Sequence, residues 1–456
     1  MRWTCFLTLL TAQASAFVAD VAPSLQQRTA PTQHRADAPT MAAPGGRRVV
    51  VTGMGIVSCL GNTLEDVTES LREAKSGIKL NEKYAEIGMK SHICGRPEID
   101  LDSLIDRKQA RFMGINAKYA FVAMQRAIED SGLPEEVVGS ARTGGILGQG
   151  GTSIADIDDT LTAVRDGKLR RIGPYRVTRS MGSTVSAVLS TAFKLKGASY
   201  SISSACSTGA HCIGVGMEQI QLGKADVMLC GSGEAEDWGF SVMFDGMTAL
   251  STKYNDSPET ASRPFDTTRD GFVIAGGGGI CVLEELEHAK ARGAKIYGEL
   301  VGYAANSDGY DMVAPSGVGG QDCMRLAMDM AKMIGGEKKV DYVNTHGTST
   351  PVGDLMELGG IKTVFGEQGY QPYVGSTKSL SGHALGAAGV HEAIYSLLML
   401  NNDFLAESAN IKDLVPEAEG LNILRKRHDG KVNRVLSNSF GFGGTNACLI
   451  FDRYEE

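Results

Sequence analysis

A chain of 456 residues, 42% hydrophobic and 21% charged with 57 glycines, has an ordinary globular composition and the length for one large core or two fused ones. A net charge of −8 argues against a general nucleic-acid binder, though not against a local basic patch. The nine cysteines form no CxxC pair and several sit in apolar runs, which points to buried free thiols in a reducing compartment and away from structural zinc.

The first element is a leader. Arg2 precedes an apolar run over 5–10, and Ala14-Ser15-Ala16 has the small-residue spacing of a signal-peptidase site. The run is too short to cross a bilayer, and no later stretch is long enough. Residues 17–46 are rich in Ala, Pro, Thr and Gln, with several Arg and few acids. A signal peptide over 1–16 with a Phe-led transit segment over 17–46 resembles the bipartite presequence of algae with complex plastids, which implies the plastid stroma. A plain secretory signal or a disordered arm is the simpler alternative, and the unpaired thiols favour import.

From residue 47 strands and helices alternate. Residues 48–52 (RVVVT) predict a buried strand, and 62–77 a helix capped by Asn62 or Thr63, with Leu64, Val67 and Leu71 on one face and Gly77 as its stop. A second helix over 111–130 ends at Gly132 and Pro134. Strand 143–147, helix 207–222 ending at Gly223, strands 226–230 and 280–284, and a charged helix over 285–292 follow. The pattern then begins again: strand 296–302, helix 321–334, strand 340–344, helix 355–365, strand 373–376, helix 383–400, and a closing strand pair over 434–437 and 447–451. This order predicts mostly parallel sheets covered by helices. It reads as two similar α/β halves, 47–295 and 296–456, with no linker between them. Each half has a small-residue helix after its most polar glycine-rich word.

Three words carry the chemistry: SSACSTGAH (203–211), NTHGTSTPVGD (344–354) and TKSLSGHALGAAG (377–389). Cys206 falls at or near a helix N-terminus, where unpaired N–H groups and the helix dipole favour a thiolate and could hold an oxyanion. A buried packing cysteine is the alternative, and Cys212 fits that role better. His346 and His383 each sit in a glycine-flanked turn at an element end, where open α/β folds place active sites. Neither an HExxH word nor a carboxylate-bearing ligand spacing accompanies them, so no metal is expected. Lys378, Asp354 and Glu357 form either a solvated face or a network orienting the imidazoles. SNSFGFGGTN (437–446) is either a mobile loop whose phenylalanines close a tunnel or a plain hairpin turn. Gly53-Met54-Gly55 follows a strand, but the third glycine and the acidic residue of a dinucleotide fingerprint are missing.

Together these four words resemble the β-ketoacyl-[acyl-carrier-protein] synthases of fatty acid synthesis. QIQLGKA (219–225), ALSTKYN (249–255) and RDGFVIAGGGG (269–279) look closest to the elongating type I enzymes, and the likeness runs from about residue 47 to 451. Ser207-Thr208-Gly209 leans instead toward the type II pattern. The resemblance implies a thiolase fold, two α/β halves stacked as five αβαβα layers, usually in a homodimer. It implies an acyltransferase that elongates fatty acids by two carbons, through decarboxylative Claisen condensation of malonyl carrier protein with an acyl chain held on Cys206. No cofactor is required beyond the phosphopantetheine arm of the acyl carrier protein.

The same resemblance makes Cys206 the nucleophile, and gives His346 and His383 the malonyl thioester carbonyl and its decarboxylation. Lys378 with Asp354 and Glu357 becomes the network positioning the histidines. The N–H groups of Cys206 and Phe442 form the oxyanion hole, Phe440 and Phe442 gate the pocket, and Thr348 and Thr350 bind the phosphopantetheine. Arg107, Lys108 and Arg111, with Lys168, Arg170 and Arg171, become a patch for the acidic carrier. A structural cation near Asn344, Glu392 and Asn438 is a weaker implication. Initiating condensing enzymes use Cys-His-Asn, which His383 opposes. A chain-length-factor-like partner lacks the nucleophile, and the Cys-Trp word of papain-like proteases is absent.

Overall fold

The computed structural model describes residues 46–455. The signal and transit segments expected over 1–16 and 17–46 lie outside the described residues, Gly46 apart. The chain runs β1 (Val49–Val57), α1 (Leu64–Arg72), α2 (Ile115–Ser131), β2 (Thr143–Gly148), α3 (Ile154–Arg165), α4 (Thr184–Ala192), β3 (Ser199–Tyr200), α5 (Thr208–Gln221), β4 (Val227–Glu234), α6 (Trp238–Gly246) and β5 (Gly277–Glu285). It continues with α7 (Leu286–Ala291), β6 (Gly298–Ser307), α8 (Gly319–Gly335), β7 (Tyr342–Asn344), α9 (Gly353–Glu367), β8 (Tyr373–Gly375), α10 (Ala388–Asn401), β9 (Asn422–Ile423), β10 (Arg434–Gly441) and β11 (Thr445–Asp452). Shorter helical turns join several of these.

Local chemistry sets the element ends. Thr63 caps α1 by accepting the Asp66 N–H, and Gly132 ends α2 in a left-handed conformation. The Gly53-Met54-Gly55 word lies inside β1 and not at a strand-to-helix turn, which removes a dinucleotide site there. Its glycines serve packing instead. A Cβ on Gly55 would lie 1.9 Å from the Ala123 carbonyl, and one on Gly53 2.6 Å from that of Ala127, so α2 lies directly on the strand.

These eleven strands form one hydrogen-bonded sheet in the order β9-β8-β7-β10-β11-β6-β1-β5-β4-β2-β3, and two short strand pairs lie outside it. The strands of the first run stand as β3-β2-β4-β5-β1, and those of the second as β8-β7-β10-β11-β6, the same order with the same directions. Antiparallel pairing of Val50 with Glu299 and Val51 with Gly298 joins the two. The sheet is mixed and not mostly parallel. In each run the last strand pairs antiparallel with both of its neighbours, β5 with β4 and β1, and β11 with β10 and β6.

Helices α2 and α4 cover the first half, α8 and α9 cover the second, and α5 and α10 pack between them. This is the αβαβα stack of the thiolase fold. The crossing of α5 and α10 depends on glycine. A Cβ on Gly209 would lie 2.6 Å from the Val390 nitrogen, and one on Gly389 2.6 Å from the Ala210 nitrogen. The small-residue words after Cys206 and His383 are thus the contact surface that brings the two helix starts together. Among the described residues no helix is long and apolar enough to cross a membrane.

Candidate active site

Cys206 precedes α5 in a turn where Ala205 takes a left-handed φ of +48°, a conformation that costs a non-glycine residue. The Ser204 N–H donates to the Thr208 hydroxyl at 2.9 Å, and that hydroxyl donates to the Ala205 carbonyl at 2.8 Å, which fixes the turn. The backbone N–H groups of Cys206 and Phe442 both lie close enough to the thiol to favour its charged form. Phe442 reaches it because 437–446 is a tight hairpin, β10 and β11 with a three-residue turn, and not a long mobile loop.

His383 comes from the second half but is clamped by the first. Its N–H donates to the Val273 carbonyl at 2.7 Å, and its carbonyl accepts from the Ala275 N–H at 2.9 Å. Its Nε2 stands 3.0 Å from the Cys206 sulfur. His346 follows β7, and the two imidazoles meet edge to face with centroids 5.2 Å apart. The ligating atoms of Cys206, His346 and His383 all lie within 4.8 Å of one another. They open onto a cavity of about 430 Å³ that Thr348, Thr350, Phe440 and Phe442 also line.

The charged residues divide in a way that the sequence reading did not anticipate. Glu357 accepts the N–H groups of His346 and Gly347 at 2.8 and 2.7 Å, and the Asn438 amide at 3.0 Å. Asp354 accepts from Phe265 and Thr350 and faces Arg269. Both carboxylates are buried and hold main chain; neither bonds an imidazole, and no solvated face exists here. Lys378 pairs with neither of them. Its buried ammonium bonds Glu392, which sequence reasoning had placed only near a cation. Burial and the Lys378 charge push both histidines well below the usual range, so the imidazoles are neutral at pH 7. Burial likewise pushes the Cys206 thiol up to about 12, against the pull of Lys378 and the two N–H groups. The helix start alone therefore does not yield a resting thiolate.

A cation at this trio would meet the Lys378 ammonium, whereas an anionic or polarised substrate group would be welcomed by it. For the structural cation, Glu392 Oε2 is buried without a partner and Asn344 Oδ1 is met only by contacts of 3.3–3.5 Å, while the other Glu392 oxygen is taken by the Lys378 ammonium. Asn438 is committed to Glu357 and Cys448. Arg107, Lys108, Arg111, Lys168, Arg170 and Arg171 are all exposed and stand apart from the cavity lining. Arg111 lies over the rings of Phe112 and Tyr175.

Residues 46–289 match the family model for the N-terminal domain of β-ketoacyl synthases, and 297–412 that for the C-terminal domain. The chain is 54% identical over 410 residues to 3-oxoacyl-[acyl-carrier-protein] synthase 1 of Haemophilus influenzae, covering 90% of this chain and 99% of that one. This chain belongs to the β-ketoacyl synthase family. A solved β-ketoacyl synthase from Burkholderia phymatum superposes with a TM-score of 0.84 at 33% identity, over 90% of this chain and 100% of that one. A type II polyketide ketosynthase, solved in complex with its acyl-carrier protein, superposes at 0.81 with 29% identity, over 90% and 100% of the chains.

The ketoacyl synthase is thus an acyltransferase of the condensing type, and its site holds a further charge that its motifs did not advertise. Glu234, at the end of β4, accepts the N–H groups of Gly150, Gly151 and Gly386 at 2.7, 3.2 and 3.0 Å. Burial pushes its carboxyl up to about 7 against those donors, and its charge in turn raises the Cys206 thiol. Between about pH 4.5 and 7 the folded chain holds a proton that the unfolded chain has released, so stability falls as pH rises through that window. Glu234→Gln, which keeps an acceptor oxygen, is expected to flatten that fall and to move Cys206 alkylation by iodoacetamide to lower pH. Thermal unfolding at pH 5 and 7.5, with alkylation rates across pH, checks both. Only one signal of Glu234 was legible, an acid in a small-residue run after a strand.

Proposed function

We propose that this condensing enzyme elongates acyl chains delivered and received on an acyl carrier protein. The convergence of Cys206, His346 and His383 on the wall of one cavity carries the reading. In the first half-reaction the Cys206 sulfur attacks the acyl thioester carbonyl, and the carrier thiol leaves with the proton. The oxyanion is held by the N–H groups of Cys206 and Phe442. In the second, the imidazole N–H groups of His346 and His383 donate to the malonyl thioester oxygen while CO2 departs. The enolate attacks the Cys206 thioester, releasing 3-ketoacyl carrier protein and the Cys206 thiolate. Neutral imidazoles supply such N–H donors without abstracting the charge that the enolate needs.

Thr348 and Thr350, with hydroxyls 3.2 Å apart on the cavity wall, would bind the phosphopantetheine amides. Phe442, 38% exposed with its ring 6.3 Å from that of Phe244, would gate the entrance together with Phe440. The basic groups on 107–111 and 168–171 would meet the acidic carrier. Glu392 and Asn344 would hold a structural cation that takes no part in a step. The chain would form a homodimer across the outer edge of β3, a terminal strand of the sheet. Residues 1–46 would direct it to a plastid stroma, a reading supported by the family match beginning only at residue 46.

With malonyl and acyl carrier proteins supplied, mass spectrometry should find 3-ketoacyl product. Acylation of Cys206 without product would overturn the elongation reading. Light scattering reporting a monomer would remove the dimer. Fusion of residues 1–46 to a fluorescent protein in a complex-plastid alga should label the stroma, and secretion of the fusion would reject that destination.

A further inference from the structure

The two N–H groups assigned to the oxyanion belong to different segments, the Cys206 turn and the β10–β11 turn, yet they must converge on one atom. The segments are in near contact: a Cβ on Gly441 would lie 3.0 Å from the Ser204 carbonyl and 3.2 Å from the Cys206 nitrogen. Side chains at the start of α5 tie them together. The Ser207 hydroxyl lies 2.9 Å from both the Ser439 and the Thr445 carbonyl, one on each strand of the hairpin.

His211 spans the same gap with its ring. Its Nδ1 is 2.6 Å from the Ser204 hydroxyl and its Nε2 3.3 Å from the Asn446 carbonyl. A carbonyl only accepts, so Nε2 carries the proton and Nδ1 accepts from Ser204. Burial pushes His211 below the usual histidine range, which keeps it in that neutral form. Asn446 continues the connection: its amide donates to Asn306 and Asp308 at 2.9 and 2.8 Å, and the Asp308 N–H donates to the Gly444 carbonyl at 2.7 Å.

We propose that His211 is a positioning residue that sets the separation of the Cys206 and Phe442 N–H groups by holding the nucleophile turn against the hairpin. It lies behind the turn and touches no reacting atom. The inference rests on the oxyanion role given above to those two N–H groups. Acyl transfer and condensation both pass through an oxyanion on the acyl carbonyl, whereas malonyl decarboxylation depends on His346 and His383. Loss of His211 should therefore slow the first two more than the third.

The test compares His211→Ala, His211→Gln and Ser204→Ala in the full chain, each checked by thermal unfolding. Their rates of Cys206 acylation, condensation and malonyl decarboxylation are measured separately. His211→Ala is expected to lower kcat for condensation about 10- to 100-fold, less than the about 10²–10³-fold typical of losing an oxyanion donor outright. KM for malonyl carrier protein and the decarboxylation rate should stay within about threefold. His211→Gln, whose amide can donate to the Asn446 carbonyl, should recover most of the loss, and Ser204→Ala should fall between. Equal losses in all three rates, or unchanged condensation in His211→Ala, would overturn the proposal. If His211→Ala does not fold, the ratio of condensation to decarboxylation in Ser204→Ala decides in its place. Failure of the underlying reading is seen elsewhere, as retained condensation in a Cys206 variant.

Discussion

Replacing Cys206 by glutamine is expected to reduce condensation by about 10³-fold or more while malonyl decarboxylation persists or rises. The separation follows from where the groups come from. The sulfur stands on the first half, and the two imidazoles stand on the second. Removing the thiol deletes the only acyl acceptor of the trio and leaves the decarboxylating pair in place. Glutamine also removes a group 3.0 Å from the His383 Nε2, and its amide carbonyl can lie where an acyl thioester oxygen would, facing the N–H groups of Cys206 and Phe442. The cavity then resembles the acyl-enzyme, the state in which malonyl is to be decarboxylated. Release of CO2 and appearance of acetyl carrier protein measure one activity, and 3-ketoacyl product the other. A parallel loss of both would show that the sulfur takes part in decarboxylation. Retained condensation would remove Cys206 as the acyl carrier.

Periodicity and caps made much of this fold legible, since Val67 and Leu71 on one helix face or Gly132 at a helix end are local facts. The directions of β5 and β11 were not, because a strand's direction is set by the neighbours it pairs with and not by its own residues. The two-residue strand β3 was too brief to read, and α3, α4 and α6 also escaped. At the site, Cys206, His346 and His383 stood out because each is a reactive residue in a glycine-rich turn. Their partners did not. Glu392 lies in a helix that is buried throughout, so nothing in its own neighbourhood marks it as the mate of Lys378, 14 residues away. Asp354 and Glu357 were found as members of a network positioning the histidines, but that they act by holding main chain was not. A carboxylate that caps backbone N–H groups leaves no trace in sequence, because every residue it could hold has an N–H.

The Lys378–Glu392 pair makes the second large effect. Both side chains are almost completely shielded from solvent, at 2% and 1% exposure. Glu392→Ala leaves the Lys378 ammonium in that setting without its counter-charge, and breaking one member of a buried pair costs about 3–5 kcal/mol. Chemical denaturation should register a loss of that order. Glu392→Gln, which keeps an acceptor oxygen for the ammonium, should lose less, because it restores a hydrogen bond though not the charge. The double variant Lys378→Met with Glu392→Leu should recover part of the stability lost in Glu392→Ala, since no unpaired charge remains, but it should not recover activity. Burial first, and then the Lys378 charge, hold His346 and His383 low, so removing that charge raises both imidazoles part of the way back. A more basic pair takes up its protons at higher pH, so the acid limb of the decarboxylation profile should move to higher pH in the double variant. Stability recovered with an unshifted limb would confine Lys378 to a structural role. No loss in Glu392→Ala would show that the pair contributes nothing to the fold.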